Sequence, residues 1–226
     1  MRIGGVAIVR GVEPIPAIRF AATLLAPPRC AICSQPCAAD AATCLSCEAA
    51  LGRASPASVA LAGVGVVHAA ATHDGVARRL VSSLKFAGRT ALAEVAAAAI
   101  ARALPADLEA RCIVATPPAR LRLRVRGFDP AALIAASLAA RLALPLVPGL
   151  VRLDHRRQVG RRRAERLSDP PRVCASAAAP QALLVDDVLT TGATLRACAA
   201  ALRAAGGEPV GAAVFAHALG PERVAA

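Results

Sequence analysis

Apolar residues recur along this chain with two different periods, and these periods predict strands that alternate with helices. Short continuous apolar runs predict buried strands at 112–115, 183–185 and 210–216, and a β-branched run lies at 59–67. Apolar positions three or four residues apart predict helices at 16–25, 76–84, 90–104, 130–142 and 194–205. Strands alternating with helices predict an α/β fold, a parallel sheet flanked by helices.

The chain length and a change in composition predict two units of unequal size. A length of 226 residues suits one main domain with a small appendage, because domains cluster around 100 to about 150 residues. The composition changes after Pro56, so we expect an N-terminal segment with a small module at 1–55 and a main domain at 56–226. With no Trp, no Tyr and only 4 Phe, the core should be aliphatic, and stacking of bases on aromatic platforms is disfavoured.

Positive charge is concentrated in the middle of the sequence. The net charge is +12, and residues 111–172 hold 14 Arg against 4 acids, a difference of +10. A basic segment of this kind suits a nucleic acid, an anionic membrane surface or a pyrophosphate. The alternative is that genome composition alone explains an individual arginine that lies outside a motif.

No segment has the pattern of a secretion signal or of a membrane-spanning helix. Residues 1–9 are too short and glycine-broken for a signal peptide. The longest uncharged stretch, 54–73, is interrupted by Pro56, Gly63 and Gly65. We therefore expect a cytoplasmic protein that does not span a membrane.

Two Cys-x-x-Cys pairs stand ten residues apart near the N-terminus. They are Cys30 with Cys33 and Cys44 with Cys47, and Cys37 lies between them. Two such pairs are typical of a structural Zn²⁺ site with four thiolates and no open coordination position. A redox dithiol would lack the second pair, and a reducing compartment disfavours a disulfide. Pairing symmetry favours these four ligands, and the role of Cys37 stays open.

The segment from 183 to 194 carries the clearest ligand-binding pattern. It reads as an apolar strand, then Asp186 and Asp187, then a small polar loop, then a helix. Parallel sheets bind ligands at the carboxyl ends of their strands. Loop amides and threonine hydroxyls at 190–194 suit a phosphate at the positive end of the following helix, and Gly192 permits close backbone approach. The two carboxylates suit a ribose diol and a Mg²⁺-bound ligand. The alternative is a plain strand-to-helix connection with capping residues.

These residues resemble the binding signature of type I phosphoribosyltransferases. The surrounding segments resemble one branch, the ComF family of competence-associated proteins, over about residues 30 to 216. The pieces of the resemblance are the cysteine module, the triplet ending at Phe86 with Gly88, the triplet 126–128, Gln158 with Arg166, and the phosphate loop. The resemblance implies a type I phosphoribosyltransferase fold with a small N-terminal zinc-binding module of four cysteines.

The resemblance also implies roles for individual residues. Asp186 and Asp187 would engage the ribose hydroxyls and count as the catalytic residues. The remaining ligand-binding positions would be Lys85, Arg126, Gly127, Val185, Thr190, Thr191, Gly192, Ala193 and Thr194. Lys85, the only lysine, and the segment after the 112–115 strand would serve the pyrophosphate, while 158–166 resembles a hood over the site. The family pattern has asparagine where this chain has Asp129 and Asp169.

These features leave three functions open, and one of them is a regulatory sensor that binds the sugar phosphate without turning it over. The other two differ in class. The first is a protein that binds phosphoribosyl pyrophosphate with Mg²⁺ and transfers phosphoribosyl to a nitrogen acceptor, linked by resemblance to DNA uptake in natural transformation. The second is a non-catalytic nucleic-acid or partner-binding competence factor that keeps the fold, with 156–166 and the zinc module as its contact surface. Single-stranded DNA, the DNA-uptake machinery and a second copy of the chain in a homodimer are the partners left open.

Overall fold

The computed structural model describes residues 27–153 and 171–218. The predicted helix at 16–25 and the segment 154–170 lie outside the described residues. Within these ranges no helix could span a membrane, since the longest has 13 residues.

The described chain forms a mixed α/β domain whose central sheet is mostly parallel. The helices are α1 (Leu45–Gly52), α2 (Gly75–Phe86), α3 (Leu92–Ala103), α4 (Arg120–Arg126), α5 (Pro130–Leu142) and α6 (Ala193–Ala204). The strands are β1 (Ala57–Leu61), β2 (Gly65–Thr72), β3 (Cys112–Ala115), β4 (Leu150–Arg152), β5 (Val173–Ala175), β6 (Ala182–Leu189) and β7 (Pro209–His217). The predicted fold class is confirmed.

The central sheet has the strand order β1-β2-β7-β6-β3. Strands β2, β7, β6 and β3 are parallel, so their carboxyl ends meet at one edge. Strand β1 is antiparallel to β2, with Leu61 opposite Gly65. The run at 59–67 is therefore two strands joined by a tight turn, because Gly63 takes a φ of +80° that reverses the chain. Strands β4 and β5 form a separate antiparallel pair.

Each face of the sheet is covered by its own set of apolar side chains. Helices α2, α3 and α5 cover one face, and Phe215 is its largest buried side chain. Helix α6 covers the other face through Leu195, Cys198 and Leu202, and the β4–β5 pair packs against α6. The buried side chains are otherwise mostly Ala, Leu, Ile and Val, which agrees with the aliphatic core expected from composition.

The cysteine segment packs against the main core. Cys30, Ile32, Cys47 and Leu51 are buried in the same apolar cluster as Leu80 of α2. A metal held there is thus coupled to the packing of α2, which reaches the carboxyl edge of the sheet.

Candidate active site

Strand β6 carries both aspartates within its hydrogen-bonded length. It is longer than the predicted 183–185, because Asp186 pairs with Val214 and Val188 with Ala216 of β7. Successive side chains of a strand point to opposite faces. Asp186 accordingly approaches α6, where its charge affects the Cys198 thiol, while Asp187 approaches α2.

The predicted phosphate loop forms the sharp connection from β6 to α6. Gly192 precedes the helix with a φ of +75°, a left-handed conformation that favours glycine. The backbone N–H of Ala193 donates to Oγ1 of Thr191 at 3.4 Å. Among the described residues, the amides of Thr191 and Gly192 donate to no backbone oxygen, so they remain available for an anion at the positive end of α6.

This loop surrounds a small polar cavity of about 30 Å³. The cavity is lined by one carboxylate and the whole loop: Asp186, Val188, Leu189, Thr190, Thr191, Gly192, Ala193, Thr194 and Leu195. Val185 is fully buried beneath it, and Asp187 lies outside the lining. The structure thus brings most of the contiguous predicted residues around one space that suits an oxyanion.

Two neighbouring side chains hold the loop in place. Nη2 of Arg196 donates to the carbonyl oxygen of Thr191 at 2.7 Å. Leu61 packs so closely that a Cβ added at Gly192 would lie 2.7 Å from its Cδ2. Neither residue was predicted from the sequence, although Arg196 is one helical turn after Gly192.

Asp187 forms an ion pair with the predicted Lys85. Nζ of Lys85 donates to Oδ1 of Asp187 at 2.8 Å, and the two side chains are 20% and 13% exposed. A partly buried pair of this kind is screened less by water and salt than a surface pair. Helix α2 begins after β2 and ends beside β6, so it crosses the carboxyl edge of the sheet.

Asp186 is the most perturbed carboxyl of the described residues. Burial, followed by the charge of Asp187, raises its pKa to about 7, while Lys85 and the Thr116 hydroxyl act in the opposite direction. Its Oδ1 also accepts from the backbone N–H of Asp187 at 2.8 Å. Near neutral pH this carboxyl exchanges between its two protonation states, which is typical of a functional site.

Asp129 begins helix α5 and belongs to the same electrostatic cluster. Its side chain accepts from the backbone N–H of Ala131 at 3.1 Å, the bond expected of an N-cap. Asn and Asp are both good N-caps, so either residue type suits this position in the fold. Burial raises the pKa of Asp129 to about 6, and the charge of Asp187 adds to this.

A large cleft of about 940 Å³ adjoins this cluster at the carboxyl edge, between α2 and α4. It is lined by basic and apolar side chains, with one serine and small residues: His73, Arg78, Val81, Ser82, Lys85, Phe86, Ala87, Gly88, Leu121, Arg122, Val125, Arg126 and Phe128. Lys85 both lines the cleft and bonds Asp187, so it connects the cleft to the aspartates.

Arg126 stands at the wall of this cleft between two phenyl rings. Its guanidinium carbon is 5.5 Å from the ring centre of Phe86 and 6.0 Å from that of Phe128. Such cation–π contacts hold a guanidinium while leaving its N–H groups available. Gly127 ends α4 with a φ of +79° and precedes α5, and it is not among the residues that line the cleft.

Several residues that line the cleft were not predicted from the sequence. Arg78, Ser82 and Lys85 lie four and three residues apart, a spacing that places them on one face of α2. This helical spacing could have indicated from the sequence that the three side chains share one face. Helix α4 was not predicted because its alternating Arg and Leu residues have the period of a strand, and none of its side chains is buried. Gln158, Arg166 and Asp169 lie outside the described residues.

The four predicted thiols come together in the N-terminal segment. The Sγ atoms of Cys30, Cys33, Cys44 and Cys47 all lie within 4.8 Å of one another. A tetrahedral Zn²⁺ with bonds of about 2.3 Å needs sulfur separations of about 3.8 Å, so the donor set fits this ion. Burial acts to raise the pKa of Cys30, but backbone amides outweigh it and lower the pKa to about 6.

Cys37 is outside this cluster. Its Sγ donates to the carbonyl oxygen of Ala41 at 3.5 Å. Of the other three cysteines, Cys112 and Cys198 are buried, and Cys174 is partly buried in β5. The structure therefore separates one four-thiol site from four cysteines that do not join it.

Comparison with known families gives a match over the C-terminal part of the chain. Residues 129–224 match the model of the phosphoribosyl transferase domain. This match begins at Asp129 and includes β6, the loop and α6. A comparison with curated proteins found no match.

Proposed function

We propose that this chain is a phosphoribosyltransferase-like protein that binds phosphoribosyl pyrophosphate with Mg²⁺ at the bend from Asp186 to Thr194. The match of residues 129–224 to the phosphoribosyl transferase domain supports this proposal. The observation that carries the proposal is the cavity enclosed by this bend. It combines available loop amides, the positive end of α6 and a carboxylate.

The bend would hold two parts of the ligand. The amides and hydroxyls of 190–194 would receive the 5′-phosphate. Asp186 and Asp187, in the preceding strand, would accept hydrogen bonds from the ribose hydroxyls. Asp186 accepts best when ionised, so we expect binding to strengthen as the pH rises through the pKa of about 7.

Lys85 and Arg126 would serve the pyrophosphate of the donor. Both line the cleft next to the aspartates, and both are cationic. In the transfer step, a nitrogen lone pair forms a bond to C1′ while the C1′–O bond to pyrophosphate breaks. Pyrophosphate leaves with the bonding electron pair, and the nitrogen then loses its proton to solvent. The two cations stabilise the negative charge that develops on the leaving group.

Mg²⁺ fits the donor chemistry of this edge. The carboxylates of Asp186 and Asp187 are hard oxygen ligands of the kind that Mg²⁺ prefers, together with substrate phosphates. When bound, the ion would neutralise charge on the pyrophosphate.

The cellular role and the division into domains are proposed as well. We propose a ComF-like protein of the cytoplasm, with a role in DNA uptake, whose zinc-binding module occupies residues up to 55 and whose phosphoribosyltransferase-like domain spans 56–226. Zn²⁺ on the four clustered thiols would be structural, because four thiolates leave no open position.

A second candidate is a non-catalytic factor that binds nucleic acid or a partner protein. Helix α4 favours it, since this helix carries four arginines and exposes the apolar Leu121, Leu123 and Val125. Its affinity for DNA would fall steeply with salt.

Thermal unfolding with and without phosphoribosyl pyrophosphate and Mg²⁺ tests the proposal. A ligand at 100 times its dissociation constant stabilises by about 2.7 kcal/mol, which raises the Tm by roughly 5 to 11 °C for a chain of this size. We expect the variant Asp186→Asn/Asp187→Asn to lose this shift and to stay folded. The matched control Asp107→Asn/Glu109→Gln removes two exposed acids before β3, at the opposite edge of the sheet.

Two results would argue against the proposal: no shift in the wild type, or an unchanged shift in the variant. Pyrophosphate release in a screen of bases and amines then separates an enzyme from the second candidate, which would release none.

A further inference from the structure

The charge of the large cleft carries information about the acceptor. Among the described residues, its lining includes no acidic side chain. It includes five basic side chains, which are His73, Arg78, Lys85, Arg122 and Arg126. Two of these five side chains already interact with other groups of the protein. Lys85 forms an ion pair with Asp187, and Arg126 contacts two phenyl rings.

Arg78 and Arg122 form no ion pair with any described residue. They reach the cleft from different helices, α2 and α4, so they face one space from two sides. Arg78 precedes Lys85 by seven residues, which is about 10 Å along a helix. The positive charge therefore extends well beyond the contact between Lys85 and Asp187.

The electrostatic effect of this arrangement is visible at His73. Burial lowers the pKa of His73, and the charges of Lys85 and Arg78 lower it further. Burial is the largest cause of the lowered pKa of His73, and the two cations act in the same direction. Clefts lined by one sign of charge concentrate ligands of the opposite sign.

The rest of the lining is apolar and partly aromatic. Phe86 is 79% exposed and Val125 is 83% exposed, and Leu121 and Phe128 line the same space. A volume of about 940 Å³ is at the upper end of small-molecule sites. The cleft therefore offers apolar contact for a planar ring and charge for an anion.

From this combination we infer that the cleft is the acceptor site and that the acceptor is an anionic aromatic or heteroaromatic nitrogen compound, with a carboxylate or phosphate recognised by Arg78 and Arg122. This inference rests on the proposed function, since it assigns the second substrate of the same site. Arginine suits the role because its planar guanidinium can bond both oxygens of a carboxylate.

Binding of shape-matched acids and amides tests the inference. The probes are 2-aminobenzoate against 2-aminobenzamide and nicotinate against nicotinamide, measured by calorimetry on the full chain saturated with ribose 5-phosphate. Ribose 5-phosphate fills the loop and has no pyrophosphate to transfer, so the cleft stays free and no turnover occurs. We expect at least one acid to bind more than about tenfold tighter than its amide.

The variant Arg78→Ala/Arg122→Ala should abolish this preference. The matched control is Arg79→Ala/Arg124→Ala, which removes two exposed arginines from the same two helices outside the cleft lining. The control should keep the preference, although it has the same net charge as the variant.

Three outcomes would overturn the inference. They are equal or unmeasurable binding of acids and amides, equal loss in variant and control, and a variant that weakens phosphoribosyl pyrophosphate but keeps the acid preference. The last outcome would assign the two arginines to the donor. Failure of ribose 5-phosphate to bind would instead count against the proposed function, and acid binding can then still be measured on the free chain.

Discussion

Nζ of Lys85 lies 2.8 Å from Oδ1 of Asp187, although 102 positions separate the two residues in the sequence. This ion pair ties the end of α2 to the carboxyl end of β6. It brings the only lysine of the chain to the two aspartates and joins the phosphate loop to the large cleft.

Removing this cation should destabilise the protein. We expect Lys85→Met to lower the free energy of unfolding by about 1 to 3 kcal/mol, because it leaves Asp187 partly buried without its partner and beside Asp186. Urea unfolding measures the change. In the control Arg141→Met, the ion pair with Glu94 is 3.4 Å long and largely exposed, so its loss should cost less than about 1 kcal/mol. Equal losses in the two variants would contradict the prediction.

Stability should depend on pH through Asp186. Its pKa is raised from 3.8 to about 7 in the folded state, so between these values the folded protein holds a proton that the unfolded chain has lost. The contribution of this group to stability is therefore present at low pH and is lost as the pH rises toward 7.

The variant Asp186→Asn isolates this effect. Between pH of about 5.5 and about 7.5 we expect the free energy of unfolding of the wild type to fall more than that of the variant, with zinc supplied throughout. Asp107→Asn, which changes an exposed carboxyl, should follow the wild type. Parallel curves for wild type and Asp186→Asn would refute the assignment.

The left-handed conformation of Gly192 should matter for binding more than for folding. A side chain there costs about 1 to 2 kcal/mol from the positive φ. The added Cβ would also displace Leu61, whose methyl groups can rotate away at small cost. We expect Gly192→Ala to weaken ribose 5-phosphate binding at least about tenfold, because the loop amides shift.

Gly206→Ala is the matched control for this variant. Gly206 has a φ of +76°, nothing lies within 4 Å of an added Cβ, and it follows the opposite end of α6. It should lose a similar amount of stability in urea unfolding and keep its affinity in calorimetry. If both variants bind equally well, the loop does not hold the phosphate.

Zinc should be bound once per chain by the four clustered thiols. We expect Cys44→Ser to lose the metal, since three thiolates close the site poorly, and Cys37→Ser to keep it, because Cys37 bonds Ala41 instead. Elemental analysis of the purified variants gives the stoichiometry. A chelator should also lower the Tm of the whole domain, because Cys30 and Cys47 are buried in its main core. Full zinc content in Cys44→Ser would exclude this ligand set.

The sequence was most informative where a pattern is local. The bounds of β3 and α5 agree with the predicted 112–115 and 130–142, since Pro at the first helical position and a continuous apolar run are strong signals. The four clustered cysteines were also predicted, because the two residues of each pair are only three positions apart in the sequence. The hairpin at 59–67 and helix α4 were missed. The hairpin was missed because its glycine turn lies within a continuous apolar run. Helix α4 was missed because its alternating residues have the period of a strand.

The sequence by itself determined the α/β class, the four-thiol cluster and the loop after β6, because each depends on residues close together along the chain. The tertiary structure alone decided that Lys85 meets Asp187, that β1 is antiparallel, and that Arg78 and Arg122 face one cleft. These relationships depend on how elements cross at the carboxyl edge of the sheet, and that packing is set by contacts between residues far apart in sequence. The charge of the cleft, and hence the class of acceptor that we infer, belongs to this second group.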